Sequence, residues 1–328
     1  ARLGDDLRRR VEELAPLLDA RAVAGRVRHV HGDLHLANIA VLDGEPTLFD
    51  CLEFDAELAT TDVLYDLAFL LMDLWHRGLR RAANIVFNRY VDLSPEDEGG
   101  VALLPVFLAT RAVIRAHVAA TRSTQAGRDS AQDRDARGYL ALATELIAPV
   151  PPSLVAIGGL SGTGKSSVAR GLGGEIGRAP GARILRTDVL RKRSAGVMPE
   201  MGLPPAYYGP DTTEQVYRLL DRLAAAALAQ GSAVIVDATF ASRDQRNAIE
   251  IVGRRGRVAF TGIWLETDLH HRLARVVGRL HDASDANAAV VRGQAAKAVG
   301  PLGDWHRVAA DGALDDVLRA VRALVRSA

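Results

Sequence analysis

Through the first 150 residues apolar positions recur mainly at three- and four-residue spacing, the period of a helix with one buried face. Thr61–Leu79, Ala102–Ala120 and Ala136–Ile147 carry broad stripes of this kind and predict core helices. One interruption differs. Ile39–Leu42, the pair Asp43-Gly44 and Pro46–Phe49 predict a short hairpin, because Asp-Gly accommodates the positive φ angles of a type I′ turn. Ser123–Arg137 is polar and reads as a loop or a helix end. After residue 153 the pattern changes. Short apolar runs, Leu154–Gly158, Arg183–Thr187, Ala233–Asp237, Val258–Leu265 and a weaker Arg307–Ala310, alternate with helical segments. Those segments are Lys165–Ile176, Thr212–Gln230, Arg243–Arg254, Leu269–Leu280 and Ala313–Arg326. Such alternation predicts a parallel sheet covered by helices on both faces, with ligands at the carboxyl ends of the strands. Between the halves, Ala148-Pro149-Val150-Pro151-Pro152-Ser153 interrupts both periods, since proline fixes φ and removes a donor. The expected fold class is α/β: a mostly helical domain over 1–150, then a parallel sheet covered by helices over 151–328.

Composition narrows this only slightly. The chain has 328 residues, 48% apolar and 25% charged, which excludes disorder over most of its length. Lys and Arg number 41 against 40 Asp and Glu, a net charge of +1, so a generally basic nucleic-acid binder is not indicated. Cys51 is the one cysteine, which excludes a disulfide within the chain and points to the cytoplasm. No uninterrupted apolar run approaches the ~18–20 residues of a membrane span, and Ala1–Arg10 lacks an apolar signal core. No membrane partner is therefore expected, and the oligomeric state is open.

The strongest chemical signal is Gly159-Leu160-Ser161-Gly162-Thr163-Gly164-Lys165-Ser166, a complete G-x-x-x-x-G-K-[ST] placed between a predicted strand and a predicted helix. Glycines let successive N–H groups converge on one anion, and the helix N-terminus adds positive potential. These residues, with Ser167 following, are the expected ATP-binding loop. Lys165 is expected to reach the β- and γ-phosphates and Ser166 to hold Mg²⁺. One of only three lysines falls at the required position. Asp188 and Asp237 close two later strands. Asp237 fits a carboxylate that orients Mg²⁺. Asp188 could act as a general base on an acceptor hydroxyl, or simply cap a helix. Arg191 follows Asp188 by three residues. Arg272, Arg275 and Arg279 fall on one helical face that could close over phosphates as a lid, or be a solvated face.

Taken together, Gly159–Ser166, Thr187-Asp188-Val189-Leu190-Arg191, Asp237-Ala238-Thr239-Phe240 and the arginine helix resemble P-loop kinases of the polynucleotide-kinase, zeta-toxin and gluconate-kinase type. The resemblance covers about residues 153–328. It implies that Asp188 activates the acceptor hydroxyl, with Arg191 as its partner.

A second signature lies upstream. His31-Gly32-Asp33-Leu34-His35-Leu36-Ala37-Asn38 has the spacing H-x-D-x-x-x-x-N, and Asp50 ends the hairpin twelve residues after Asn38. This resembles the catalytic loop of aminoglycoside-phosphotransferase-like kinases. The resemblance implies Asp33 as catalytic base, with Asn38 and Asp50 holding Mg²⁺. His31 and His35 read as residues that shape the loop, and Asp62 and Asp66 as ties between helix and loop. Only thirty residues precede His31, none a lysine, and no Gly-rich hairpin is present, so the small lobe of such kinases is lacking. With no initial methionine, this favours a truncated chain. The tandem order resembles bacterial bifunctional aminoglycoside phosphotransferase/ATP-binding proteins.

The expectation is a Mg²⁺-dependent kinase that transfers the γ-phosphoryl of ATP to a hydroxyl, on a small molecule rather than a nucleic acid. Tyr207, Tyr208 and the stretch Met198–Pro210 fall where an acceptor site could be lined. The alternative is an ATP-dependent regulatory switch that hydrolyses ATP slowly and phosphorylates no acceptor.

Overall fold

The computed structural model describes residues 2–53, 55–126, 131–278, 283–296 and 299–327. They form two compact units: Ala1–Val150 with Arg178–Pro180, and Pro151–Gly177 with Gly181–Ala328.

The first unit contains helices α1 (Arg2–Val23), α2 (Val63–His76), α3 (Arg80–Leu93), α4 (Leu104–Ala126) and α5 (Ala131–Ile147). Two antiparallel strand pairs accompany them, β1 (Val27–His29) with β4 (Thr60–Asp62), and β2 (Ile39–Leu42) with β3 (Glu45–Leu48). Leu64, Ala68, Leu71 and Trp75 of α2, spaced three and four apart, are buried with Phe87 of α3, Leu108 and Ala112 of α4, and Leu142 and Leu146 of α5. The β2–β3 hairpin turns at Asp43 and Gly44, both at positive φ. The expected helix from residue 61 begins two residues later. Thr60–Asp62 pairs instead with Val27–His29, and the Asp62 side chain caps α2 by accepting from Leu64 N at 2.8 Å. Strands of three residues are too short to show alternation, which is why β1 and β4 escaped the sequence pattern. One expectation is corrected. Pro95–Arg122 is long and apolar enough to cross a membrane by length and composition, despite Arg111 and Arg115, with 56% of its apolar window buried inside the protein.

The second unit is a five-stranded, wholly parallel sheet of β5 (Ser153–Gly158), β6 (Arg183–Arg186), β7 (Val234–Asp237), β8 (Ala259–Glu266) and β9 (His306–Ala309). The order across the sheet is β6-β7-β5-β8-β9. Around it lie α6 (Lys165–Leu172), α7 (Thr187–Ser194), α8 (Pro210–Ala229), α9 (Arg243–Gly256), α10 (Leu269–Val277), α11 (Ala288–Ala295) and α12 (Leu314–Ser327). Successive strand residues feed two cores, as the pleat requires. Leu154, Ala156, Val234 and Val236 pack with Val216 and Leu220 of α8 and Ile249 of α9. Val155, Ile157 and Ile235 pack with Val168 and Leu172 of α6 and with Val317 and Val321 of α12. This two-faced burial gives the continuous apolar strands of a parallel sheet. The register sets Ile157 and Arg186 beside Asp237, so β5, β6 and β7 end level with one another.

Candidate active site

The phosphate loop runs from the end of β5 to the first residue of α6. Gly159, Gly162 and Gly164 have φ of 141°, 90° and 93°. At two of them space is closed as well. A Cβ on Gly159 would stand 2.7 Å from Leu265 O, and one on Gly162 2.6 Å from Arg272 O. Only glycine lets β8 and α10 approach the loop so closely.

Lys165 Nζ donates to Leu160 O at 3.1 Å, which folds the side chain back over the loop. Ser166 Oγ donates to Asp237 Oδ2 at 2.5 Å. Arg186, at the end of β6, binds both partners: Nε to Asp237 Oδ2 at 3.2 Å and Nη2 to Ser166 Oγ at 3.0 Å. A hydroxyl and a carboxylate at the mouth of a phosphate loop form the hard-oxygen donor set that Mg²⁺ takes, so these residues fit the ion. Asp188 lies in the first turn of α7. Burial, and then the neighbouring Asp237 carboxylate, push the Asp188 carboxyl above its usual range, against the pull of Arg186, a hydrogen bond from Ser284, and Lys165.

Cavities border the loop on two sides. One, of about 410 Å³, is lined by Gly164, Ser167, Arg275, Gly312, Leu314 and Val317. The other, of about 250 Å³, is lined by Lys165, Ser166, Asp188, Arg191, Tyr208 and Asp237 among others. Lys165, Ser166, Asp237, Asp188 and Arg191 thus share one cavity, while Arg275 and Ser167 face the other.

The arginines of α10 are built into the loop. Arg272 Nε donates to Ser161 O at 2.9 Å, and Arg275 donates to Thr163 O at 3.4 Å and Ala310 O at 2.7 Å. Burial lowers the Arg272 pKa, and its hydrogen-bond acceptors are neutral oxygens of Ser161, Val291 and Gln294. The expected helical face is shorter than its pattern suggested. α10 ends at Val277 with Gly278 as its C-cap, and Arg279 lies outside the described residues.

Four residues at this site were not anticipated. Arg186 carried a faint signal, a charge at the end of an apolar strand two residues before Asp188. Gln294 of α11 accepts from Ser161 N at 2.8 Å, so both polar groups of that loop residue are held by side chains. Lys192 is fully buried, and its Nζ donates to Asp285 Oδ2 at 2.5 Å and to Met201 O. Asp285 Oδ2 also accepts from Leu203 N at 3.1 Å and from Tyr208 OH, which ties the stretch after α7 to the segment before α11.

In the first unit the His31–Asn38 loop is held by α2. Asp66 accepts from His31 N at 3.2 Å and Gly32 N at 2.9 Å, and Asp73 accepts from Leu36 N at 3.0 Å. Burial raises the Asp66 carboxyl against these bonds. Asp62 does not reach the loop. It receives Arg21 Nε and Nη2 at 2.6 and 2.7 Å. Asn38 Nδ2 donates to Asp33 O and Oδ2, both at 3.0 Å. His31 Nε2 contacts Phe49 O at 3.0 Å and His35 Nδ1 accepts from Ala37 N, so both rings brace the loop. Asp50 follows the hairpin at φ 59°.

Comparison with known proteins agrees with this architecture. The chain is 32% identical over 319 residues to the uncharacterized proteins Rv2004c of Mycobacterium tuberculosis (strain ATCC 25618 / H37Rv) and Mb2027c of Mycobacterium bovis. The matches take in 93% of the chain, which spans 62% of the length of each relative. Among solved structures, a gluconokinase from Sinorhizobium meliloti 1021 matches at 19% identity and TM-score 0.39, over 55% of this chain and 95% of that one. The Mycobacterium tuberculosis APS kinase CysC in complex with AMPPNP and APS matches at 23% identity and TM-score 0.38, over 54% and 99%. Residues 1–104 match the phosphotransferase enzyme family and residues 154–301 the AAA domain, so the chain joins an aminoglycoside-phosphotransferase-like segment to a P-loop kinase-like domain.

Proposed function

We propose that the second unit transfers the γ-phosphoryl group of Mg·ATP to a hydroxyl of an acceptor molecule. The observation that carries this reading is the single cavity where Lys165, Ser166, Asp237 and Asp188 meet. A phosphate loop alone binds nucleotide. A loop facing a buried carboxyl of raised proton affinity also has the base that transfer to an alcohol requires.

In this reading Lys165 leaves Leu160 O for the β- and γ-phosphates, and the N–H groups of residues 159–167 hold the remaining phosphate oxygens. Ser166 and Asp237 hold Mg²⁺, which when bound neutralises phosphate charge and orients the γ-phosphoryl group. Asp188, as carboxylate, takes the proton of the acceptor hydroxyl while that oxygen bonds to the γ-phosphorus. The bond from the γ-phosphorus to the bridging oxygen breaks, and ADP leaves with the electron pair. Arg191 positions the acceptor, and Arg275 and Arg279 offset charge that develops beside the loop. In the first unit, Asp33 as base with Asn38 and Asp50 as metal ligands remains the arrangement we propose, supported by the hydrogen bond from Asn38 to Asp33. A border near residue 150 and a cytoplasmic location belong to the same proposal.

Lys165→Ala is expected to abolish ATP turnover, measured as phosphate or ADP release. Asp188→Asn is expected to lower transfer by about 10²-fold or more while retaining Mg·ATP binding in calorimetry. The second reading, a nucleotide switch, is favoured by one contact, that of Gln294 on α11 with Ser161. The same Asp188→Asn variant separates the two, because a switch would be indifferent to it.

A further inference from the structure

The acceptor cavity carries more than the base, and its chemistry narrows what it takes. Its volume is about 250 Å³, below the ~300–1,000 Å³ of ordinary drug-sized ligand sites. Hydroxyl groups dominate its polar lining: Thr187, Thr213, Tyr208, Tyr217, Thr239 and Ser284. Hydroxyls donate and accept alike, which suits a ligand whose own polar groups do both.

The charged groups on this wall are already balanced. Asp285 is paired with the buried Lys192. That leaves Asp188 and Arg191, one of each sign. Arg191 is only 7% exposed and lines the cavity. Its Nη1 donates to Tyr207 O at 2.7 Å, its Nη2 to Thr213 Oγ1 at 3.5 Å, and its guanidinium stacks over Tyr208 at 4.9 Å. Nε is buried with no partner among the described residues. An arginine that recognises a carboxylate or phosphate uses two parallel N–H groups. Arg191 has one to give, and one N–H matches a single hydroxyl or ether oxygen. An anionic acceptor would also bring a charge toward Asp188, Asp237 and the nucleotide phosphates, without a free cation to meet it.

We propose that the acceptor is a small, uncharged, polyhydroxylated molecule of the sugar or polyol class, held by the Arg191 Nε–H and the surrounding hydroxyls with one of its own hydroxyls toward Asp188. This rests on the phosphotransfer reading above. The transfer is balanced as given there: the acceptor O–H proton passes to Asp188, its oxygen bonds to the γ-phosphorus, and ADP departs.

The test is transfer from γ-labelled Mg·ATP to glycerol, ribose, glucose and myo-inositol as neutral probes. Gluconate and glucose 6-phosphate serve as anionic probes, and adenosine and a 5′-hydroxyl oligonucleotide as nucleic-acid probes. Calorimetric binding of a non-hydrolysable Mg·ATP analogue is read on the same preparation. The expected result is that a neutral polyol exceeds every anionic and nucleic-acid probe in kcat/KM by about tenfold or more. Arg191→Lys should then raise the polyol KM about tenfold with analogue affinity unchanged. Transfer to gluconate, glucose 6-phosphate, adenosine or the oligonucleotide at equal or better kcat/KM overturns the acceptor class and leaves phosphotransfer standing. Analogue binding without transfer to any probe overturns the phosphotransfer reading, and this inference with it.

Discussion

At the scale of single residues, Gln294 and Asp221 invite measurement. Gln294 supplies the acceptor for a backbone N–H of the phosphate loop. Gln294→Leu leaves that donor without its partner, and a buried unsatisfied amide costs about 1–3 kcal/mol. Urea unfolding of the nucleotide-free protein should show a loss of that size, and an unchanged midpoint would mean the Ser161 amide does not depend on Gln294. Asp221 on α8 has no partner for Oδ1 among the described residues, and burial lifts its carboxyl from 3.8 to about 6. A raised pKa in the folded state means that folding favours the proton. Stability is therefore fullest below about pH 4, falls as pH rises toward about 6, and stays reduced above. Asp221→Asn should raise Tm near pH 8 and leave it nearly unchanged near pH 4. A gain of equal size at both would assign the effect to packing instead.

At the scale of elements, the first unit is tied together by a buried ionic cluster. Asp97, between α3 and α4, accepts from Arg21 of α1 at 2.9 Å, from Arg26 at 2.7 and 2.9 Å, and from Tyr90 of α3 at 2.8 Å. Arg21 also holds Asp62, the cap of α2. Burial, with the Asp97 hydrogen bond and charge, raises the Tyr90 pKa, so the phenol remains a donor. Asp97→Ala leaves two buried guanidinium groups short of a counter-charge, and breaking such a set costs about 3–5 kcal/mol. Denaturant unfolding of the first unit should show it, whereas a loss under ~1 kcal/mol would place the cluster among pairs that merely break even. In the second unit α10 packs against Gly162, so Gly162→Ala forces a β-carbon onto Arg272 O at a positive φ. Strain of this kind costs about 1–3 kcal/mol, and calorimetry should show loss of Mg·ATP binding. Some of these elements were legible beforehand. The β2–β3 hairpin announced itself through Asp43-Gly44, and the strands of the sheet through short apolar runs between helical periods. α7 and α11, eight residues each, were not. Two turns of mixed polarity do not establish a 3.6-residue period, and their apolar residues answer to neighbours distant in sequence.

At the scale of the whole molecule, each unit has its own core, one centred on α2, α4 and α5, the other on both faces of the sheet. A ligand that binds only the native state stabilises the unit that holds it, by about 2.7 kcal/mol at a hundredfold excess over Kd. With a Mg·ATP analogue, hydrogen exchange should slow at Gly159–Val168 and along β7. Slowing at His31–Asp50 instead would move the working nucleotide site to the first unit. The order of matched segments, phosphotransferase enzyme family then AAA domain, agrees with the change in hydrophobic pattern near residue 150.

What the sequence by itself determined is the chemistry carried by neighbours along the chain. The phosphate loop is legible because its function depends on backbone angles that glycine alone adopts readily, at fixed spacing from one lysine and one serine. The strand-ending Asp188 and Asp237 are legible because a parallel sheet brings strand ends to one edge. Only the tertiary structure decided which distant side chains complete the site. Arg186 meets Asp237 across 51 residues, Lys192 meets Asp285 across 93, and Gln294 meets Ser161 across 133. Those pairings depend on sheet order and on where α11 settles, and both follow from burial of two apolar faces at once. A one-dimensional pattern records that a residue is buried, but not against what.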